Sequence, residues 1–159
     1  MAGSNGLARR LAHHFLTITR VFEAPPSLLF KVWSQPRHLR KWWGPKDFSV
    51  PACEVDFREG GRFRSCIRSP QGDDFWMSGV YRDIDEPGRL AFTFAWEEPE
   101  GVPGESTMVT VSFAEQEGHT SLTFHQEPFT SAGERDSHQD GWAQCLDRLE
   151  AYLGQATRL

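Results

Sequence analysis

Apolar and polar positions alternate in short runs through the middle of the chain, and near the end the spacing becomes helical. In the closing stretch His138, Trp142, Cys145, Leu146, Leu149 and Leu153 recur at intervals of three and four, the stripe of an amphipathic helix. Such a stripe must cover apolar surface, and the strands upstream are the only large partner. Ser131-Ala-Gly-Glu134 reads as a capping box that opens this helix, with Gly154 as its stop. Gly141 is out of place inside it, at a cost of about 1 kcal/mol relative to Ala. Either a neighbouring strand approaches closely at Gly141 or space for a ligand is preserved there.

The first strand is marked by Leu16, Ile18 and Phe22 alternating with Thr17, Thr19 and Val21, and it ends at Ala24-Pro25-Pro26. A helix follows from Pro26, with Leu28, Leu29, Val32 and Trp33 on one face. Ser34-Gln35-Pro36 interrupts it, a second short helix runs through Leu39 to Trp43, and Gly44-Pro45 ends that. From Phe48 the pattern is strand and turn. Cys53, Val55 and Phe57 lead into Gly60-Gly61, and Phe63 and Ile67 return on the same face, a hairpin that pairs Phe57 with Phe63. The next strand, Phe75 to Ile84, carries large residues at both parities, so its inward face stays open. Leu90, Phe92, Phe94 and Trp96 then give the cleanest period-two run. A Pro- and Gly-rich loop from Glu97 to Glu105 forms a candidate rim, and Thr107 to Phe113 with Thr120 to Gln126 makes a last hairpin around Glu117-Gly118.

At 159 residues the chain fits one domain, residues 15–159, preceded by a mobile lead-in over residues 1–14. The lead-in has no apolar run long enough for a signal peptide or a membrane span. Aromatic residues make up 13%, with Trp 6 and Phe 12, which leaves two readings open: a bulky core or an aromatic-lined cavity. The net charge of -5 argues against nucleic acid as a partner. Arg58, Arg62, Arg64 and Arg68 fall at mostly even spacing and read as the solvated face of a hairpin or as a weak anion patch. The thiols of Cys53, Cys66 and Cys145 show no CxxC spacing, and the hairpin puts Cys53 and Cys66 on opposite faces. Free thiols fit a cytoplasmic location.

Strand, two short helices, a six-strand meander and a long C-terminal helix give an α+β chain in the order of the helix-grip fold. Ile18-Thr-Arg-Val-Phe-Glu-Ala-Pro, Val32-Trp33, Arg40-Lys41-Trp42-Trp43-Gly44-Pro45, Gly60-Gly61-Arg62-Phe63, Gly79-Val80-Tyr81, Pro87-Gly88-Arg89-Leu90-Ala91-Phe92-Thr93 and Gly141-Trp142-Ala-Gln-Cys-Leu-Asp-Arg-Leu together carry a resemblance. In this order and spacing they resemble the AHSA1-like (activator of Hsp90 ATPase homologue 1-like) branch of the START/Bet v 1-like (SRPBCC) superfamily, from about Phe15 to Leu153. The resemblance implies a curved antiparallel sheet around the C-terminal helix, with a cavity between them that in the superfamily holds apolar small molecules. Relatives include carriers, aromatase/cyclases and a eukaryotic co-chaperone domain. Short members of the branch look like bacterial proteins of unassigned role, and a homodimer is compatible with the fold.

The candidate cavity walls are Trp42, Trp43, Phe63, Trp76, Phe94, Trp96, Met108, His138, Trp142 and Leu146. Adjacent indoles at Trp42 and Trp43 cannot both face the core of a short helix, so one is expected in the core and one at the rim. His138 either faces the cavity as a proton donor or acceptor or is a hydrogen-bonded histidine near the helix start. The histidines show no HxxH or HExxH spacing and no GxSxG elbow or phosphate loop occurs, so neither a metal, a cofactor nor a catalytic residue is indicated. Three functions remain: a binding protein for an apolar or aromatic small molecule, a cyclase, dehydratase or hydrolase acting on one, and an interaction module associated with an Hsp90-type chaperone by family resemblance.

Overall fold

The computed structural model describes residues 14–156. Strand β1 (His14–Phe22) leads into helices α1 (Pro26–Ser34) and α2 (Pro36–Trp42). Six strands follow, β2 (Ser49–Val55), β3 (Arg62–Arg68), β4 (Asp74–Asp85), β5 (Arg89–Trp96), β6 (Thr107–Gln116) and β7 (His119–Phe129), and α3 (Ala132–Ala156) closes the chain. The strands form one antiparallel sheet in the order β1-β7-β6-β5-β4-β3-β2, curved around α3 as a helix-grip fold. Of the expected lead-in, residues 1–13 lie outside the described residues, and His14 already belongs to β1.

Because β1 and β2 occupy opposite edges, the chain must cross the whole sheet between them, and α1 and α2 make that crossing. Prolines at their first turns suit this, since a missing N–H is harmless there. Phe30 and Trp33 of α1 pack edge-on against Phe113 of β6, at centroid distances of 5.9 and 6.4 Å, and fill that half of the concave face. α3 packs on β1 and β7, so over β3 to β5 the concave face is reached by side chains from its first half, His138 and Trp142, and by the turn after α2. The sheet comes close to itself at Gly79, where an added Cβ would strike the Thr93 carbonyl at 1.8 Å and the Phe63 ring at 2.5 Å. A register shift between Tyr81 and Asp83 follows, the kind of irregularity that bends a strand.

Several expectations need correction. The hairpin register is Val55 opposite Phe63 and Cys53 opposite Ser65, not Phe57 opposite Phe63. Phe57 leaves the ladder because its ring packs on Tyr81 at 5.0 Å and Phe30 at 5.8 Å, while Gly60 and Gly61 bond across to Tyr81. The slip is by two residues, so the faces are unchanged, and Cys53, Cys66 and Cys145 are buried free thiols. Gly154 does not stop α3, which continues to Ala156. The capping box is shifted at one partner: Ser131 Oγ accepts from the Glu134 N–H, but the Glu134 carboxylate reaches back to Thr130. On the convex face the arginines are exposed, with Arg58 paired to Asp56, Arg64 to Glu97 and Arg68 to Asp74.

Candidate functional site

The space left over β3 to β5 is a chamber of about 320 Å³. Its sheet wall comes from inward positions of adjacent strands: Ile67 of β3, Phe75 and Met77 of β4, and Phe94 and Trp96 of β5. Ile67 pairs with Phe75 and Met77 pairs with Trp96, so these side chains form a continuous apolar floor. The opposite wall is the first half of α3, where Ser137, His138, Gly141, Trp142 and Cys145 face in. Trp43, Gly44, Pro45 and Phe48, from the turn between α2 and β2, close the side.

Two sets of polar contacts hold these walls. Trp142 is fixed to the sheet by a buried chain in which its Nε1–H donates to Gln126 Oε1 at 2.8 Å and Gln126 Nε2 donates to Thr107 Oγ1 at 2.8 Å. Thr107 Oγ1 in turn donates to the Phe94 carbonyl, so the Trp142, Gln126 and Thr107 side chains are all partnered. The turn is clasped to α3 by Arg148, whose Nη1 donates to the carbonyls of Trp43, Gly44 and Pro45 at 3.0, 2.9 and 3.0 Å. Gln144 Oε1 adds a bond from the Lys46 N–H. Gly44, at φ +95, turns the chain there, and a Cβ would crowd Ile67 and Phe48 at 3.2 and 3.3 Å.

His138 is the one imidazole in the chamber wall, and both its nitrogens are engaged. Nδ1 lies 2.9 Å from the Glu134 carbonyl oxygen, which only accepts, so Nδ1 carries the proton. Nε2 is then free to accept from Trp96 Nε1–H, at 2.9 Å. The ring is thereby held as a neutral tautomer that braces Trp96 at the mouth. Burial pushes the Cys145 thiol up to about 12, so it too faces the chamber uncharged. Gly141 adds room: a Cβ there would meet only Pro45 Cγ, at 4.0 Å, so no strand approaches it.

Of the sequence candidates, the structure brings Trp43, Phe94, Trp96, His138 and Trp142 together around the chamber, and the remainder lie elsewhere. Trp42 is wholly buried with its Nε1 donating to the Val32 carbonyl, and Trp43 is buried as well, so the expected division into core and rim does not occur. Phe63 borders a separate small hollow. Trp76 points to the convex face, stacked under the Arg64 guanidinium at 3.9 Å. Met108 is exposed, since its neighbours Thr107 and Val109 take the inward positions of β6. Leu146, with Leu149 and Leu153 beyond it, is packed in the core, where the short helices leave no space. Sequence reasoning missed Phe48, Ile67, Phe75, Met77, Ser137 and Cys145. Parity was a usable signal for Ile67, whereas Phe75 and Met77 were hidden by the bulky outward Trp76.

The helix-grip sheet is shared with known proteins. The family model for activator of Hsp90 ATPase homolog 1-like proteins matches residues 23–154. The chain belongs to that family. A crystal structure of an AHSA1 protein from Silicibacter pomeroyi is similar at 26% identity and a TM-score of 0.81, covering 90% of this chain and 99% of that one. A crystal structure from Nitrosomonas europaea is similar at 25% identity and a TM-score of 0.77, covering 91% and 97%. One from Chromobacterium violaceum stands at 26% identity and a TM-score of 0.76, covering 86% and 94%. No curated protein matches the chain. No helix among the described residues of this AHSA1-like chain is long and apolar enough to cross a membrane.

Proposed function

We propose that this AHSA1-like protein binds an uncharged apolar or aromatic small molecule in the chamber between β3 to β5 and the first half of α3. The observation that carries the reading is the character of the wall. Apart from the neutral His138 and the hydroxyl of Ser137, the side chains facing the chamber are apolar, aromatic or an un-ionised thiol. A volume of about 320 Å³ falls at the lower end of small-molecule sites. Proton transfer by His138 is disfavoured because its only acceptor nitrogen is taken by Trp96, so a carrier or sequestering role fits better than a cyclase or hydrolase. Three buried free thiols suit a reducing cytoplasm.

The test is titration with N-phenyl-1-naphthylamine, a neutral aromatic probe whose absorption overlaps tryptophan emission. Binding beside Trp43, Trp96 and Trp142 gives a saturable rise in probe emission and a matching loss of tryptophan emission. No saturable change in either signal would remove the reading. A second reading, contact with an Hsp90-type chaperone, draws on the family's description and on Phe75 and Trp96, 43% and 36% exposed at the chamber mouth. Stimulation of a chaperone ATPase that Phe75→Ser abolishes would favour that reading.

A further inference from the structure

A second hollow, of about 20 Å³, lies beside the chamber on the same concave face. The same strands build both. Along β3 Ile67 faces the chamber while Ser65 and Phe63 face the hollow; along β4 Met77 faces the first and Tyr81 the second; along β5 Phe94 gives way to Phe92. Among the described residues, Trp43 alone lines both spaces. Its indole stands edge-on to Trp33 on one side, at 6.2 Å, and to Trp142 on the other, at 5.2 Å. Its Nε1 donates to Met77 Sδ at 3.1 Å, and a thioether is a weak acceptor.

The hollow, which Cys53 and Glu54 also line, differs from the chamber in holding buried polar atoms that lack a partner among the described residues. Ser65 is 3% exposed and inward-facing on β3, and its Oγ has no hydrogen-bond partner among the described residues. Trp33, 2% exposed and also lining the hollow, has an Nε1 without a partner among the described residues. The Tyr81 phenol is held neutral by burial. Buried polar groups ordinarily find partners, and a space of this size admits a single water or a single polar ligand atom with its neighbours.

We propose that the Trp43 indole is the specificity-determining partition of this site: it confines ligands to the outer chamber, and behind it Ser65 and Trp33 form a subsite for an uncharged hydroxyl or carbonyl at the end of a longer apolar ligand. The proposal rests on the outer chamber being a binding site. Ligand length is then set by one side chain, and a smaller residue at that position joins the two spaces.

The experiment is displacement of N-phenyl-1-naphthylamine by 1-alkanols from hexanol to tetradecanol, on the wild type, Trp43→Leu and, in case that variant does not fold, Trp43→Phe. In the wild type each added methylene tightens binding about fourfold until the outer chamber is filled, after which affinity stays flat. In Trp43→Leu or Trp43→Phe the break moves to longer chains by two or more methylenes. Adding Ser65→Val to the variant weakens the longest alkanols by about fivefold or more and leaves hexanol unchanged. An identical break in wild type and variants would overturn the partition while probe binding still stood. A break that moves but is insensitive to Ser65→Val would overturn the polar subsite. Failure of the probe to bind the wild type at all would overturn the binding function, and the partition with it.

Discussion

Gly141 offers the sharpest perturbation, because structure and propensity predict opposite outcomes for its two readings. It sits inside the 25-residue helix α3, where Gly is less favourable than Ala by about 1 kcal/mol. Had a strand been packed against it, a methyl group would clash and the substitution would destabilise. The nearest atom to an added Cβ is instead Pro45 Cγ at 4.0 Å, ordinary van der Waals contact. Gly141→Ala should therefore stabilise the fold by about 1 kcal/mol, which for a domain of this size raises Tm by roughly 2–4 °C. Gly141→Phe keeps the helix but projects a ring into the chamber, so probe binding is lost while Tm stays at or above that of the wild type. Thermal unfolding followed by circular dichroism, paired with titration of N-phenyl-1-naphthylamine, reads both effects. A lowered Tm in Gly141→Ala, or undiminished probe binding in Gly141→Phe, would refute the placement of open space at this position.

Other outcomes follow from the polar contacts around the chamber. Trp142→Phe removes the donor to Gln126 Oε1 and leaves a wholly buried acceptor unpaired, a cost of about 1–3 kcal/mol in urea denaturation that a further Gln126→Leu should partly restore. Arg148→Ala releases three carbonyls of the turn that forms one wall, so probe affinity should fall several-fold, whereas the exposed Arg62→Ala should leave it unchanged. His138→Gln should shift probe affinity modestly and abolish no turnover; a wild-type conversion of substrate that vanished in this variant with binding retained would restore the enzyme reading. Because the folded Cys145 thiol is raised from 9.0 to about 12, its stabilising share is complete below pH 9 and lost as pH climbs toward 12, and at pH 8 iodoacetamide should label it only after unfolding by urea.

The architecture was legible where one periodicity dominated. Leu90, Phe92 and Phe94 alternate with small residues, and all three lie inward on β5 and buried. The stripe on α3 likewise named its buried face, from Trp142 to Leu153. The stripe could not say where that face meets a filled core and where it meets empty space. That depends on α1, whose Phe30 and Trp33 occupy one half of the sheet, a tertiary placement with no local signature. β4 was illegible for another reason: Trp76 gains a guanidinium stack on the convex face, so its bulk does not report burial. The hairpin register failed for a third reason, since Phe57 finds better packing on Tyr81 and Phe30 than opposite Phe63. Gln126 carried a signal that is easily passed over, a polar residue at the inward parity of Leu122 and Phe124, and it proves to be the anchor of Trp142.

A crystal structure of the protein grown with N-phenyl-1-naphthylamine decides whether the chamber is a binding site. Probe density is expected within van der Waals contact of Phe94, Met77 and Trp142, with the His138 to Trp96 hydrogen bond retained at the mouth. Side chains filling that space, or a probe bound only on the convex face, would contradict a binding role for the chamber.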